Sequence, residues 1–192
     1  EILEIGSHME GHPDNVAPAV FGGATVSWMN EETSEGGSVR LTPPEGINPV
    51  AFIPDFELRT AAARAALPAT VAHGDASFNV ARGALLAAVL SGGAQVSGGA
   101  DLHVLLMEAT RDRLHQEQRR AAMEPSLALV DWLRGAGFAA VVSGAGPTVL
   151  SLEQVGADIR RDAAGAGWRV VPLAVAASGV QITRGSLAKV EF

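Results

Sequence analysis

Two apolar runs, Phe138–Val142 and Thr148–Leu152, flank the five residues SGAGP. Runs this short fit strands, and a link carrying two glycines turns the second run straight back on the first. The expectation is an antiparallel hairpin, and the rest of the fold must supply partners for it. Ala24–Met29, Ser38–Thr42 and Pro49–Leu58 also read as strands, the first two separated by the polar stretch NEETSEGG, and Trp168–Ala176 reads as the last. Between them lie helical patterns. Thr60–Leu67 has Thr60 as a cap and Pro68 as a stop, and Ser77–Leu90 follows. Leu102–Met123 is expected as one helix with Arg111, Asp112, His115 and Arg119 on a shared face. Pro125–Arg134, closed by Gly135 and Gly137, and Val155–Ala164 complete the set, while Glu1–Ile5 reads as the end of a helix. This order implies an α+β fold, an antiparallel sheet with helices on one face.

Composition narrows the function. Against 21 Asp+Glu the chain has 14 Lys+Arg, a formal net charge of −7, which argues against a nucleic-acid partner because a phosphate backbone needs a basic face. Lys189 is the single lysine, so no Walker-type phosphate loop can be written, and any bound anion falls to arginine, backbone N–H groups or a helix end. Without cysteine there is no disulfide, thiolate metal site or cysteine nucleophile. The longest apolar run, Gly83–Leu90, falls far short of the roughly 20 residues that cross a bilayer. The acidic start EILEIGSHME lacks the pattern of a secretory signal, and a cytoplasmic location with no membrane partner is the simplest expectation. Residues 6–9, GSHM, also match a common expression-vector remnant.

Three constellations carry candidate chemistry. Glu10–Asn15, EGHPDN, gathers two carboxylates, an imidazole and an amide between helix-breaking residues; it reads either as a polar site or as a capped helix start at Pro13. SGAGPT, Ser143–Thr148, reads either as a nest of backbone N–H groups for an anion or as a tight hairpin turn. Arg64 and the arginine closing DRLHQEQR, Arg119, read either as a carboxylate-gripping pair or as solvated helix residues. His8 and His12 are four apart, but Gly11 and Pro13 interrupt the helix a zinc pair would need, so no metal site is assigned.

In this order and at these separations, EGHPDNVAPAVFGG, FELRTAAARAALP, DASFN, DRLHQEQR and SGAGPT resemble the homoserine kinases of the GHMP kinase superfamily, from about Glu10 to Leu152. The resemblance implies transfer of the γ-phosphoryl of ATP, with Mg2+, to the side-chain hydroxyl of L-homoserine, a step toward threonine. It implies a substrate segment at His12, Asp14 and Asn15, a carboxylate clamp of Arg64 and Arg119, and a glycine loop, Ser143, Gly144, Ala145, Gly146 and Thr148, that supports the phosphate-binding loop. Residues 1–48 are then expected as a remnant of the family's N-terminal domain and 49–192 as its C-terminal, ferredoxin-like domain. A homodimer is left open.

One departure stands out. The superfamily's P-x-x-x-G-L-G-S-S-A-like loop, whose N–H groups and helix dipole cradle the triphosphate, occurs nowhere in the sequence, and the Mg2+ ligands are expected in the same absent half. The expectation is therefore a C-terminal portion of such a kinase, inactive by itself. The alternatives are another GHMP small-molecule kinase and a non-catalytic amino-acid-binding or interaction module.

Overall fold

Gly11 adopts the left-handed conformation, φ 83°, and stops helix α1 (Ile2–Glu10), its N–H donating to the Ser7 carbonyl at 2.8 Å. This is the computed structural model of the chain, and it describes residues 1–93 and 101–181; Lys189 lies outside them. Helix α2 (Val16–Phe21) follows, and strands β1 (Ala24–Met29) and β2 (Gly36–Leu41) form an antiparallel hairpin with Val26 opposite Val39. Residues 176–181 close on these elements: the N–H of Gly23 donates to the Ala176 carbonyl at 2.7 Å, and that of Val180 to the Ala19 carbonyl at 3.1 Å. Glu1–Leu41 with the described part of the segment from Ala176 is one compact unit, and Thr42–Val175 is another. The units part after Leu41.

The second unit is centred on β3 (Val50–Ile53), where Val50 and Phe52 are fully buried at alternate positions of one strand face. The strand ends at Ile53 because Pro54 offers no N–H to extend the ladder, which is why the expected strand to Leu58 is shorter. Helices α3 (Thr60–Ala65), α4 (His73–Leu90) and α5 (Leu102–Ala109), a 3-10 helix (Glu117–Ala122) and α6 (Glu124–Gly135) lead to the hairpin β4 (Ala140–Val142) and β5 (Val149–Ser151). Helix α7 (Ala157–Gly165) then leads to β6 (Arg169–Pro172). The sheet order is β4-β5-β3-β6, every neighbouring pair antiparallel. That order and the βαββαβ succession are those of the ferredoxin-like fold, here with four further helical segments in the first crossover.

Val50, Phe52, Val142 and Val149 pack with Leu127, Val130 and Leu133 of α6, Ala163 of α7 and Ala63 of α3, so these helices cover one face of the sheet. A second cluster joins α4 to α5 through Val89 and Leu106, with Ile47 and Ala139. Fully burying side chains of this size contributes about 1.5 to 3 kcal/mol each, which is what holds the sheet's helical cover in place.

The expected single helix Leu102–Met123 is broken. Helix α5 ends at Ala109, and a turn at 110–116 precedes the 3-10 helix. The cause is Asp112, whose carboxylate accepts the backbone N–H groups of Leu114, His115 and Gln116 at 3.3, 2.8 and 2.7 Å. A continuous helix would send those groups to carbonyls one turn back, so the side chain competes the helix away. Arg111, Asp112, His115 and Arg119 therefore do not share a helical face.

Candidate functional site

The link between β4 and β5 is a closed turn. The N–H of Ser143 donates to the Thr148 carbonyl at 2.8 Å and that of Gly146 to the Ser143 carbonyl at 2.9 Å, with Gly144 at φ 59° and Gly146 at φ 86°. The hairpin reading of SGAGPT is thus realised. The N–H groups of Gly144 and Ala145 make no hydrogen bond among the described residues, so the loop also retains two open donors.

This loop is gripped from one short stretch of chain. Gln116 accepts the Val142 N–H on its Oε1 at 2.7 Å, just ahead of the loop. Arg119 donates from Nη1 to the Gly144 carbonyl at 3.1 Å. Met123 packs so closely on Gly146 that a Cβ there would lie 2.8 Å from its Sδ. Ser126, fully buried, donates from Oγ to the Pro147 carbonyl at 2.6 Å. The four residues recur every three or four positions, which places them along one side of the 3-10 helix and the start of α6. That spacing is present in the sequence, yet Gln116, Met123 and Ser126 were not among the expected site residues, because nothing in a single sequence says that a helical stripe faces a loop instead of the core.

Arg119 does more than touch the loop. Its Nε donates to the carbonyl of Ala63 at 3.3 Å, the residue preceding Arg64 on α3. The guanidinium thus bridges α3, 56 positions before it in the sequence, and the glycine loop. Two of its five N–H donors are spent on these carbonyls, and three remain for a ligand. Arg64 stands in the last turn of α3, so the structure brings its helix to Arg119.

The turn that delivers Arg119 is knotted to α4. Besides the three backbone groups, Asp112 accepts Asn79 Nδ2 at 2.6 Å and lies 3.0 Å from His115 Nδ1. Asn79 Oδ1 in turn accepts the Arg113 N–H at 2.9 Å. Burial pushes the Asp112 carboxyl up, but the donors from Gln116, Asn79 and His115 outweigh it and hold the group at about 2. Nearby, Arg134 spans α5, α6 and β4 by donating to the Met107 carbonyl, the Thr110 hydroxyl and the Ala140 carbonyl.

His12, Asp14 and Asn15 lie together in the first unit, between α1 and α2. His12 Nδ1 pairs with Asp14 Oδ1, and the same oxygen accepts the Asn15 N–H at 2.9 Å. Helix α2 starts at Val16, three residues after Pro13, with Asn15 at the cap position and no side-chain hydrogen bond capping it, so the capped start expected at Pro13 does not form. In the second unit a cavity of about 440 Å³ lies between residues 53–59 and Pro147–Thr148, and Asp55, Glu57 and Arg59 give it a charged lining.

Among the described residues no cluster of three or more His, Asp or Glu could hold a metal ion, and no helix is long and apolar enough to cross a membrane.

Residues 95–153, spanning α5 to β5 and hence the cradle and its loop, match the family described as GHMP kinases C terminal. The chain carries the C-terminal domain of the GHMP kinases. Relatives that it matches include homoserine kinases. That of Streptomyces avermitilis is 44% identical over 185 residues, covering 94% of this chain, and that of Corynebacterium efficiens is 43% identical over 183 residues, covering 92%. The chain spans 56% of the length of each. The crystal structure of homoserine kinase from Cytophaga hutchinsonii shares the fold, with a TM-score of 0.73 at 20% identity, over 92% of this chain and 56% of that one.

Proposed function

We propose that the chain is the homoserine-binding portion of a homoserine kinase, the enzyme that phosphorylates the side-chain hydroxyl of L-homoserine from ATP on the way to threonine. The observation that carries this reading is Arg119, a half-fixed guanidinium that joins α3, with Arg64, to the Ser143–Thr148 loop while keeping three donors for a ligand. A small zwitterion needs a planar cationic fork for its carboxylate, which Arg64 and Arg119 supply. His12, Asp14 and Asn15 of the first unit are proposed separately as a substrate-binding segment. Residues 1–48 are assigned to the kinase's N-terminal domain and 49–192 to its C-terminal domain, and the enzyme acts in the cytoplasm.

For ATP and Mg2+ the fit fails within this chain. The triphosphate loop is not in the sequence, and the described residues offer no carboxylate cluster for the metal. The open N–H groups of Gly144 and Ala145 suit a supporting role beside such a loop, not a cradle of their own. The chain's own residues bind and orient the amino acid.

The test is calorimetric titration of the chain with L-homoserine and with 3-aminopropan-1-ol, which keeps the amine and hydroxyl and lacks the carboxylate. Saturable binding of homoserine and none of the amino alcohol is expected. Equal binding of the two, or of neither, overturns the reading. The missing triphosphate loop favours a second reading, an amino-acid-binding module without catalysis; it predicts the same homoserine isotherm from a chain whose natural full-length form also fails to bind MgATP.

A further inference from the structure

Asn79 on α4 and Asp112 in the 110–116 turn make no hydrogen bond to the glycine loop, yet among the described residues of the unit they are the most heavily bonded polar pair. Asn79 holds the turn from both sides, donating to Asp112 Oδ1 at 2.6 Å and accepting the Arg113 N–H at 2.9 Å. Asp112 then fixes the backbone of 114–116 through three N–H groups. The next residue out, Gln116, is the one that holds Val142 at the mouth of the loop, and Arg119 follows three residues later on the same short helix. A turn with no regular hydrogen-bond ladder has many conformations of similar energy. What selects the one that places Gln116 and Arg119 against the loop is this pair of side chains.

We infer that Asn79 and Asp112 are positioning residues for the amino-acid site: by locking the 112–116 turn to α4 they set the station of Arg119 between Ala63 and Gly144. The inference rests on the homoserine reading for its ligand, but not for its geometry.

The pair is built so that its polarity can be tested by exchange. In Asp112→Asn an amide NH2 must replace one of two oxygens that both face donors, and in Asn79→Asp two carboxylates meet at hydrogen-bond distance. In the double variant Asn79→Asp/Asp112→Asn the donor and acceptor are reversed. The amide at 112 donates to the carboxylate at 79, its carbonyl still accepts the backbone N–H groups of His115 and Gln116, the other carboxylate oxygen still accepts from Arg113, and the bond given up is the long one, 3.3 Å, from the Leu114 N–H. Two readouts follow: the calorimetric affinity for L-homoserine, and the hydrogen-exchange protection of the Val142 amide by NMR. Each single variant is expected to weaken homoserine about tenfold or more and to strip protection from Val142, while the exchanged pair returns affinity to within about threefold of the parent. A pair of merely structural importance would lower the thermal midpoint of the singles and leave homoserine affinity, measured well below that midpoint, unchanged; that result overturns the inference. If the parent chain binds no homoserine, the functional reading falls alone, and Val142 decides the rest. Protection lost in the singles and regained in the exchange supports the pair, and protection retained throughout overturns it. Should the singles not fold, Asn79→Ala, which sets no like groups face to face, carries the same two measurements.

Discussion

Gly144 and Gly146 stand two residues apart in the same turn, both at positive φ, and the structure gives them different costs. A Cβ on Gly144 meets nothing within 4 Å, so Gly144→Ala carries only the left-handed backbone penalty, about 1 to 2 kcal/mol. A Cβ on Gly146 would lie 2.8 and 2.9 Å from Met123 Sδ and Cε and 3.0 Å from Val142 Cγ1. Gly146→Ala adds a core clash to the same penalty and is expected to cost about 1 to 3 kcal/mol more. Urea unfolding of the two variants checks the difference, and equal midpoints would show that the Met123 contact does not constrain the loop. Arg119→Lys is the other informative substitution. Lysine keeps the charge and loses the planar fork, so it cannot hold the Ala63 and Gly144 carbonyls and a carboxylate together. Losing one charge-assisted bond implies a roughly 10- to 150-fold weaker homoserine isotherm. Unchanged affinity would return Arg119 to the role of a backbone brace. The need for glycine in SGAGPT was legible in the sequence, as was the arginine; the atoms they meet were not, because apart from Val142 those come from residues 23 or more positions away.

At the scale of elements, the turn at 110–116 is where sequence reading and structure diverge most. The apolar and charged residues of 102–123 alternate with helical period, and a period cannot register that one aspartate accepts three backbone N–H groups in a row. The divergence has a measurable consequence. Asp112 has its carboxyl lowered from 3.8 to about 2 in the folded chain, so its ionised form stabilises the fold. With the folded value below the unfolded one, the contribution is complete above about pH 4 and is lost as pH falls toward 2, amounting to about 2 kcal/mol in all. The urea midpoint of the parent chain is expected to drop across that window by more than that of Asp112→Asn, which has no proton to take up at 112. Parallel declines would place the stabilising carboxylate elsewhere. The hairpin β4–β5, by contrast, was legible almost residue for residue, since two apolar runs and a glycine link leave one arrangement open.

For the whole molecule, the α+β class and the antiparallel sheet follow from the order of short apolar runs and helical stretches, but the strand order β4-β5-β3-β6 does not; it depends on which runs pair across more than a hundred residues. The same is true of the division into units, since nothing local tells that the chain after Ala176 hydrogen-bonds back to Gly23 and Ala19. What the whole sequence does state is an imbalance of equipment. It holds arginines and a glycine loop, yet no triphosphate loop and no lysine except Lys189, three positions from the last residue. Phosphoryl transfer asks little covalent chemistry of a protein and almost everything of its positioning and charge stabilisation. On the proposed reading the chain seats the acceptor and not the donor, so it is expected to bind homoserine without turning it over. In a coupled assay of the purified 192-residue chain with MgATP, ADP release is expected to be the same with and without homoserine. Homoserine-dependent ADP release would mean that groups on this chain do hold the phosphates. The open N–H groups of Gly144 and Ala145 would be the first to test, through Gly146→Ala, whose shifted loop would then lower that release.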